Sequence, residues 1–210
     1  MKLTLLSLRM KNKRVLIACE FSGIVRDAFL KRGHDAWSCD LLPSEKPGPH
    51  IQGDVLSVIN QPWDLLIGFP SCQFLCSSGI HWNYKNADRW QKTHAAVEFA
   101  RTLMSANIKH IAIENPIGVL STQIRKPDQI IQPYQFGHNA SKKTCLWLKN
   151  LPTLKPTKFI NARIINGLPR WANQTNSGQN KLSPGLNRWR DRSRTYEGIA
   201  EAMADQWCNL

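Results

Sequence analysis

A chain of 210 residues with 42% hydrophobic and 20% charged residues has the composition of a folded globular protein, which argues against a disordered, collagenous or disulfide-dense mini-protein. No apolar run approaches the roughly 20 residues that a membrane-spanning helix needs, so no membrane partner is expected. Lys and Arg number 28 against 15 Asp and Glu, a formal net charge of +13. The excess is concentrated: Val119 to Arg190 carries one acid, Asp128, and twelve bases. That asymmetry suits a polyanionic partner, because each phosphate neutralised releases condensed counterions, although a merely solvated basic surface would look the same. Trp147, Trp171 and Trp189 lie among these bases, as stacking residues of nucleic-acid binders do and as core residues also could.

In chain order, the apolar opening Met1 to Leu8 is too short for a signal peptide and is followed by Arg9, Lys11, Lys13 and Arg14 instead of a cleavage site. Met10 is therefore expected as the functional start, giving a single domain over 10–210. Val15 to Cys19 reads as a buried parallel strand. Ile24 to Arg32 reads as a helix with Ile24, Ala28 and Leu30 inward and Gly33 as its stop. Asp35 to Asp40 reads as a second strand and Ser44 to Pro49 as a loop. Asp64 to Phe69 reads as a third strand before a Pro-Ser-Cys turn. Asn86 to Ala106 is the best helix, with Ala95, Phe99, Leu103 and Ala106 on one stripe, and Ile108 to Ile113 is a strand leading into Glu114-Asn115-Pro116. Beyond it, Thr144 to Lys149 can be a strand and Tyr196 to Trp207 a closing helix. Segment 151–194, rich in Asn, Gly, Pro and Arg, is expected as an irregular basic excursion.

Alternating strands and helices imply a parallel sheet covered on both faces, whose working residues gather at the carboxyl ends of its strands. Glu20, Asp40, Asp54, Cys72 and Glu114 all fall at such ends. Cys72, directly after a buried strand, is a candidate nucleophile if loop amides and bases favour its thiolate, or else a small buried hydrophobe. Asp54 reads equally as a helix N-cap before Val55, and Asp40 as a turn residue. The cysteines (19, 39, 72, 76, 145, 208) are scattered, and no paired metal-ligand spacing occurs, so a reduced, cytoplasmic protein without metal is expected.

On Pro70-Ser71-Cys72-Gln73-Phe74-Leu75-Cys76-Ser77-Ser78-Gly79 with Trp82, on Glu114-Asn115-Pro116-Ile117-Gly118, on Phe136-Gly137-His138 with Lys142-Lys143-Thr144, and on Gly198 to Ala204, the chain resembles the DNA cytosine-C5 methyltransferases. The likeness is nearest to the compact methyltransferase-like proteins of phages and prophages, and it spans Val15 to Trp207. It implies an α/β three-layer sandwich on a doubly wound, mostly parallel seven-stranded sheet of the S-adenosylmethionine-dependent methyltransferase type. It also implies methyl transfer from S-adenosyl-L-methionine to C5 of a cytosine flipped out of duplex DNA, with no obligate protein partner.

The implied roles follow the motifs. Cys72 attacks C6, Glu114 contacts N3 and the exocyclic amine, and Asn115 holds the loop. Glu20, Phe21, Ser22, Gly23, Asp40, Leu41, Asp54, Pro70, Thr195, Gly198 and Ile199 surround the cofactor, with Asp40 on the ribose hydroxyls and Asp54 on the adenine amine. Gln73, Ser77, Ser78, Lys142, Lys143, Thr144, Arg163, Arg170, Arg188 and Arg190 meet nucleic acid. Three departures from the family pattern stand out. Ser71 replaces a proline, Phe21-Ser22-Gly23-Ile24-Val25 keeps one glycine of two, and 151–194 stands where a large target-recognition domain would be, which implies relaxed sequence specificity. A nicotinamide oxidoreductase would need Gly-x-Gly-x-x-Gly after the first strand, which is absent. Two alternatives keep the fold: a DNA-binding protein without catalysis, and a C5 pyrimidine-modifying enzyme acting on another nucleic acid or nucleotide.

Overall fold

The computed structural model describes residues 12–208; Met10, the expected start, lies outside them. The main sheet has seven strands: β1 (Arg14–Ala18), β2 (Asp35–Asp40), β3 (His50–Gln52), β4 (Leu65–Gly68), β5 (His110–Pro116), β6 (Gln129–Ile131) and β7 (Thr144–Lys149). Their order is β3-β2-β1-β4-β5-β7-β6. The pairings β2–β3, β1–β2, β1–β4 and β4–β5 are parallel, whereas β7 runs antiparallel to both β5 and β6. The expected seven-stranded, mostly parallel sheet is present.

Alternation along the strands shows why both faces are covered. Val15 and Ile17 of β1, Leu65 and Ile67 of β4 and Ala112 of β5 point to one core. There they meet α1 (Ile24–Leu30) through Val25 and Phe29, and α5 (Glu197–Trp207) through Ile199, Met203 and Trp207. Leu16, Leu66, Ile111 and Ile113 point to the opposite core, which α2 (Ala87–Met104) closes with Val97, Ala100 and Leu103. Short apolar runs buried on both sides are what a parallel sheet requires.

Several boundaries differ from the sequence reading. On α2 the buried face is Thr93, Val97, Ala100 and Leu103, while Ala95 is exposed; the helix is rotated from the stripe read in the sequence because its hydroxyl-bearing Thr93 is buried through hydrogen bonds. On α1 the buried set is Val25, Arg26, Ala28 and Phe29, with Ile24 and Leu30 at its margin. β5 continues through Glu114 and Asn115 to Pro116, because β7 pairs with it along that length. β3 and β6, three residues each, carry no periodicity long enough to be read from sequence. The 151–194 excursion is not wholly irregular: β8 (Arg163–Ile165) and β9 (Leu168–Arg170) form a hairpin around Asn166 and Gly167, both at positive φ, and α4 (Arg188–Ser193) follows. The remaining short helix, α3 (Leu120–Gln123), follows β5.

Candidate active site

The chain leaves β1 for β2 and β3 on one side and returns to β4 on the other, so the order reverses between β1 and β4. A crevice opens at the carboxyl ends of strands at such a point. Here a small cleft is lined by Cys19, Glu20, Phe21 and Ser22 after β1, Phe69 after β4, and Ser193 and Thr195 from the chain returning towards α5. Cys19 adopts a left-handed φ of 59°, and its amide donates to the Cys39 carbonyl at 2.7 Å, which turns the chain out of the sheet. Burial pushes the Cys19 thiol up to about 12, so it is inert at neutral pH.

The Glu20 side chain is buried and caps α1: its carboxylate accepts from the Val25 amide at 2.8 Å, the Arg26 amide at 3.4 Å and the Ser22 hydroxyl at 2.9 Å. Burial raises its pKa, and these hydrogen bonds pull against the rise. Asp40, at the end of β2, accepts from the Leu42 amide at 2.9 Å; burial raises its carboxyl too. Leu41 beside it is exposed. Asp54 is exposed and accepts from the Leu56 amide at 2.9 Å, the N-cap arrangement that was one of its two sequence readings. Gly23, at φ 72°, lies where a Cβ would sit 2.5 Å from the Arg26 guanidinium.

Arg26 is the residue sequence reasoning missed. It is wholly buried, and its guanidinium reaches Asp27, the Ser38 and Ser44 hydroxyls and the Lys46 and Pro47 carbonyls at 2.9–3.3 Å. It therefore shapes the loop after β2 from beneath. Its signal was present in Val25-Arg26-Asp27-Ala28-Phe29, where a base stands on the apolar face of a short helix.

Gly198 and Ile199 do not line this cleft. The Gly198 amide donates to His138 Nε2 at 2.8 Å, and a Cβ there would lie 1.9 Å from the Phe136 carbonyl oxygen; Ile199 is buried in the core. Gly198 fastens α5 to the Phe136-Gly137-His138 turn. Thr195 does stand at the cleft.

The second half of the edge lies beyond β4, β5 and β7. Ser71 caps the turn carrying Cys72, and Cys72 is exposed, whereas Cys39, Cys145 and Cys208 are buried. Asn115, itself buried, donates through Nδ2 to the Pro70 carbonyl at 2.7 Å and so ties β5 to the Cys72 turn. Its Oδ1 is buried and has no hydrogen-bond partner among the described residues. Gly118 makes a second tie. Val119 donates to the Leu75 carbonyl at 2.8 Å and Ser77 to the Ile117 carbonyl at 3.1 Å, and a Cβ on Gly118 would fall 1.9 Å from the Leu75 oxygen. Only glycine lets the two loops approach so closely.

Cys76, Glu114, Lys142 and Arg192 all act electrostatically on the Cys72 thiol, and Lys142 and the Thr144 hydroxyl act on Glu114. Although Cys72 is exposed to solvent on its outer side, the protein packed around its sulfur, then Cys76 and Glu114, raise the thiol; Lys142 and Arg192 act in the opposite direction without prevailing. Bases near the turn were expected to favour thiolate; desolvation outweighs them, and the thiol is favoured instead. Burial likewise raises Glu114, against Lys142 and the Thr144 hydroxyl, so its carboxyl holds a proton more readily than an exposed glutamate. Lys142 spans the site, its Nζ donating to the Arg192 carbonyl at 2.9 Å.

The remaining residues expected to meet nucleic acid divide. Gln73, Ser77, Ser78 and Lys143 are exposed at or near the Cys72 turn or before β7, and Thr144 is buried beside Glu114. Arg163 and Arg170 hydrogen bond to the Gln174 and Asn176 carbonyls within the excursion and stand outside this cluster. Arg188 begins α4, and Arg190 lies over the Phe21 ring and 3.4 Å from Glu45, which Arg194 also grips at 2.9 and 3.0 Å. Of the three tryptophans among the bases, Trp147 is core, Trp171 stacks on Tyr134, and Trp189 is half exposed against Phe21.

The strand order with a single reversed β7, and the crevice at the carboxyl edge of β1, β4 and β5, define a doubly wound α/β fold on a mostly parallel seven-stranded sheet. No protein-family model matches the chain, and none of the curated proteins matches it. Among solved structures, an rRNA methylase from Escherichia coli is similar at 13% identity with a TM-score of 0.37, over 66% of this chain. The chain spans 57% of the length of that methylase. The fold class stands on the strand order, independently of that likeness. Among the described residues no helix is long and apolar enough to cross a membrane.

Proposed function

We propose that the protein transfers a methyl group from S-adenosylmethionine to C5 of a cytosine in DNA, with little sequence specificity and with Cys72 as nucleophile. The observation that carries this reading is the convergence of Cys72, Glu114, Lys142 and Thr144 at one end of β4, β5 and β7, held by Asn115 and Gly118. The lining of the cleft at the β1–β4 switch suits the cofactor's chemistry, with an aromatic wall in Phe21 and Phe69, hydroxyls of Ser22 and Thr195, and at the next strand end the half-buried Asp40 carboxyl to accept from a diol; at about 40 Å³ the cleft must widen to admit the cofactor. Bound there, S-adenosylmethionine supplies an electrophilic methyl group.

The chain's own residues then account for the rest. Cys72, its thiol proton released to solvent, forms a bond from sulfur to C6, and the C5=C6 electron pair moves to make C5 nucleophilic. Glu114, whose desolvated carboxyl favours its protonated form, donates to N3 and stabilises the developing charge, while its carbonyl oxygen accepts from the exocyclic amine. After methyl transfer, loss of the C5 proton and departure of the Cys72 thiolate restore the aromatic ring. The basic flank contributes affinity through phosphates and little sequence discrimination.

The test is product identity. DNA, RNA and free cytidine nucleotides are each incubated with the protein and S-adenosylmethionine, and their nucleosides are analysed by mass spectrometry. 5-Methylcytosine in DNA, absent with Cys72→Ser, is expected. A methylated base other than C5-cytosine, or product made equally by Cys72→Ser, would contradict the assignment. No product on any substrate would leave a non-catalytic binding protein.

A further inference from the structure

Beside the Cys72 turn lies a surface that neither the cofactor cleft nor the Cys72–Glu114 pair uses. Residues 77–85 form a 3-10 helical segment that leads into α2, and three large rings along the two face solvent: on the segment Trp82 is 53% exposed and Tyr84 80%, and at the start of α2 Trp90 is 44% exposed. Single exposed aromatics need no explanation, but three within nine residues do. His81 leans on Trp82 with ring centroids 5.0 Å apart, and the Lys85 ammonium sits 5.4 Å over the Trp82 ring. Lys85, Arg89 and Lys92 face one acid, Asp88, along the same stretch.

The ledge is fixed to the Cys72 turn. Arg89 donates to the Gln73 carbonyl at 3.1 Å and lies over the Phe74 ring. The Thr93 hydroxyl donates to the Phe74 carbonyl at 3.2 Å and accepts from Asn83 at 2.9 Å, with both side chains buried. The two residues after Cys72 and the segment bearing the rings are thus one braced unit.

Resting on the nucleic-acid reading above, we infer that the Trp82–Tyr84–Trp90 ledge stacks unpaired bases next to the target cytosine, so that the preferred substrate is a single-stranded stretch. Exposed aromatic faces interleaved with bases match the faces and phosphates of an unpaired strand. A duplex keeps its base faces inside its own stack and offers these rings nothing. DNA and RNA share this chemistry, and the experiment separates them.

Binding of fluorescein-labelled unstructured 12-mers of DNA and of RNA, and of a hairpin duplex, is measured by anisotropy. The proteins are wild type, Trp82→Ala/Tyr84→Ala/Trp90→Ala, and Tyr84→Ala alone, whose highly exposed side chain can be removed without loss of fold. Wild type is expected to bind single strands more tightly than duplex. The triple variant should lose at least about tenfold and Tyr84→Ala about fivefold for single strands, at the modest end of base–ring stacking. The dependence on salt should keep its slope, because no phosphate contact is removed. Unchanged single-strand binding by Tyr84→Ala and by a folded triple variant, or tighter duplex binding by wild type, overturns the ledge alone. Wild type that binds neither DNA nor RNA overturns the ledge and the nucleic-acid reading together.

Discussion

The two halves of the strand edge treat their polar side chains in opposite ways. At the ends of β1 and β2, Glu20 caps α1, and Arg26 holds Asp27 of α1, Ser38 of β2 and three partners in the loop after β2. At the ends of β4 and β5, Cys72 is exposed, Glu114 is half-buried with its charge disfavoured by desolvation, and Asn115 Oδ1 lacks a partner among the described residues. Groups that hold the first half together are satisfied by the protein itself, whereas the second half retains reactive capacity at a cost in stability. Functional sites are where such local violations are expected.

Substitutions break this comparison in different currencies. Arg26→Met should destabilise most, by about 2–3 kcal/mol in chemical denaturation, because the wholly buried side chain loses its hydrogen bonds to Asp27, Ser38, Ser44 and two loop carbonyls together. A loss below 1 kcal/mol would show that the loop does not depend on it. Gly118→Ala should cost roughly 1–3 kcal/mol through the clash with the Leu75 carbonyl and should also displace the Cys72 turn from β5, lowering methyl transfer.

Glu114→Gln should behave in the reverse manner, with methyl transfer falling roughly 10²–10⁴-fold while stability at neutral pH holds or rises. The sign follows from its raised pKa. A carboxyl that ionises later in the folded than in the unfolded chain favours folding in acid, and that contribution is lost as pH climbs from the ordinary carboxyl value of 4.5 through the raised one. The decline should vanish in Glu114→Gln, as read from melting temperature against pH. The smallest effect is on thiol reactivity. Cys72 should be the first cysteine alkylated by iodoacetamide, since it is exposed, yet its rate should keep rising past pH 9 because the raised thiol ionises late. An inflection below pH 8 would contradict the electrostatic picture of the resting site.

Much of this edge was legible in the sequence because short apolar runs followed by Glu20, Asp40, Cys72 and Glu114 mark buried parallel strands and their ends. The dual reading of Asp54 could not be resolved there, since an N-cap and a ligand contact call for the same residue type. β3 and β6 were illegible because three residues carry no period, and their pairing partners are distant in sequence. The rotation of α2 escaped because Thr93 counts as polar in any hydrophobic pattern although two hydrogen bonds bury it. Gly118 and Gly198 were visible as motif members, but the carbonyls they admit lie on loops far along the chain.

The central claim is that Cys72 attacks the cytosine ring across from Glu114. Oligonucleotide carrying 5-fluorocytosine blocks the final elimination, because fluorine replaces the departing proton. Incubated with S-adenosylmethionine and the wild-type protein, it should give a denaturant-resistant adduct whose mass maps to the peptide bearing Cys72 and which Cys72→Ser cannot form. Methylation of ordinary cytosine without any trapped adduct, or an adduct mapping to another cysteine, would contradict the account.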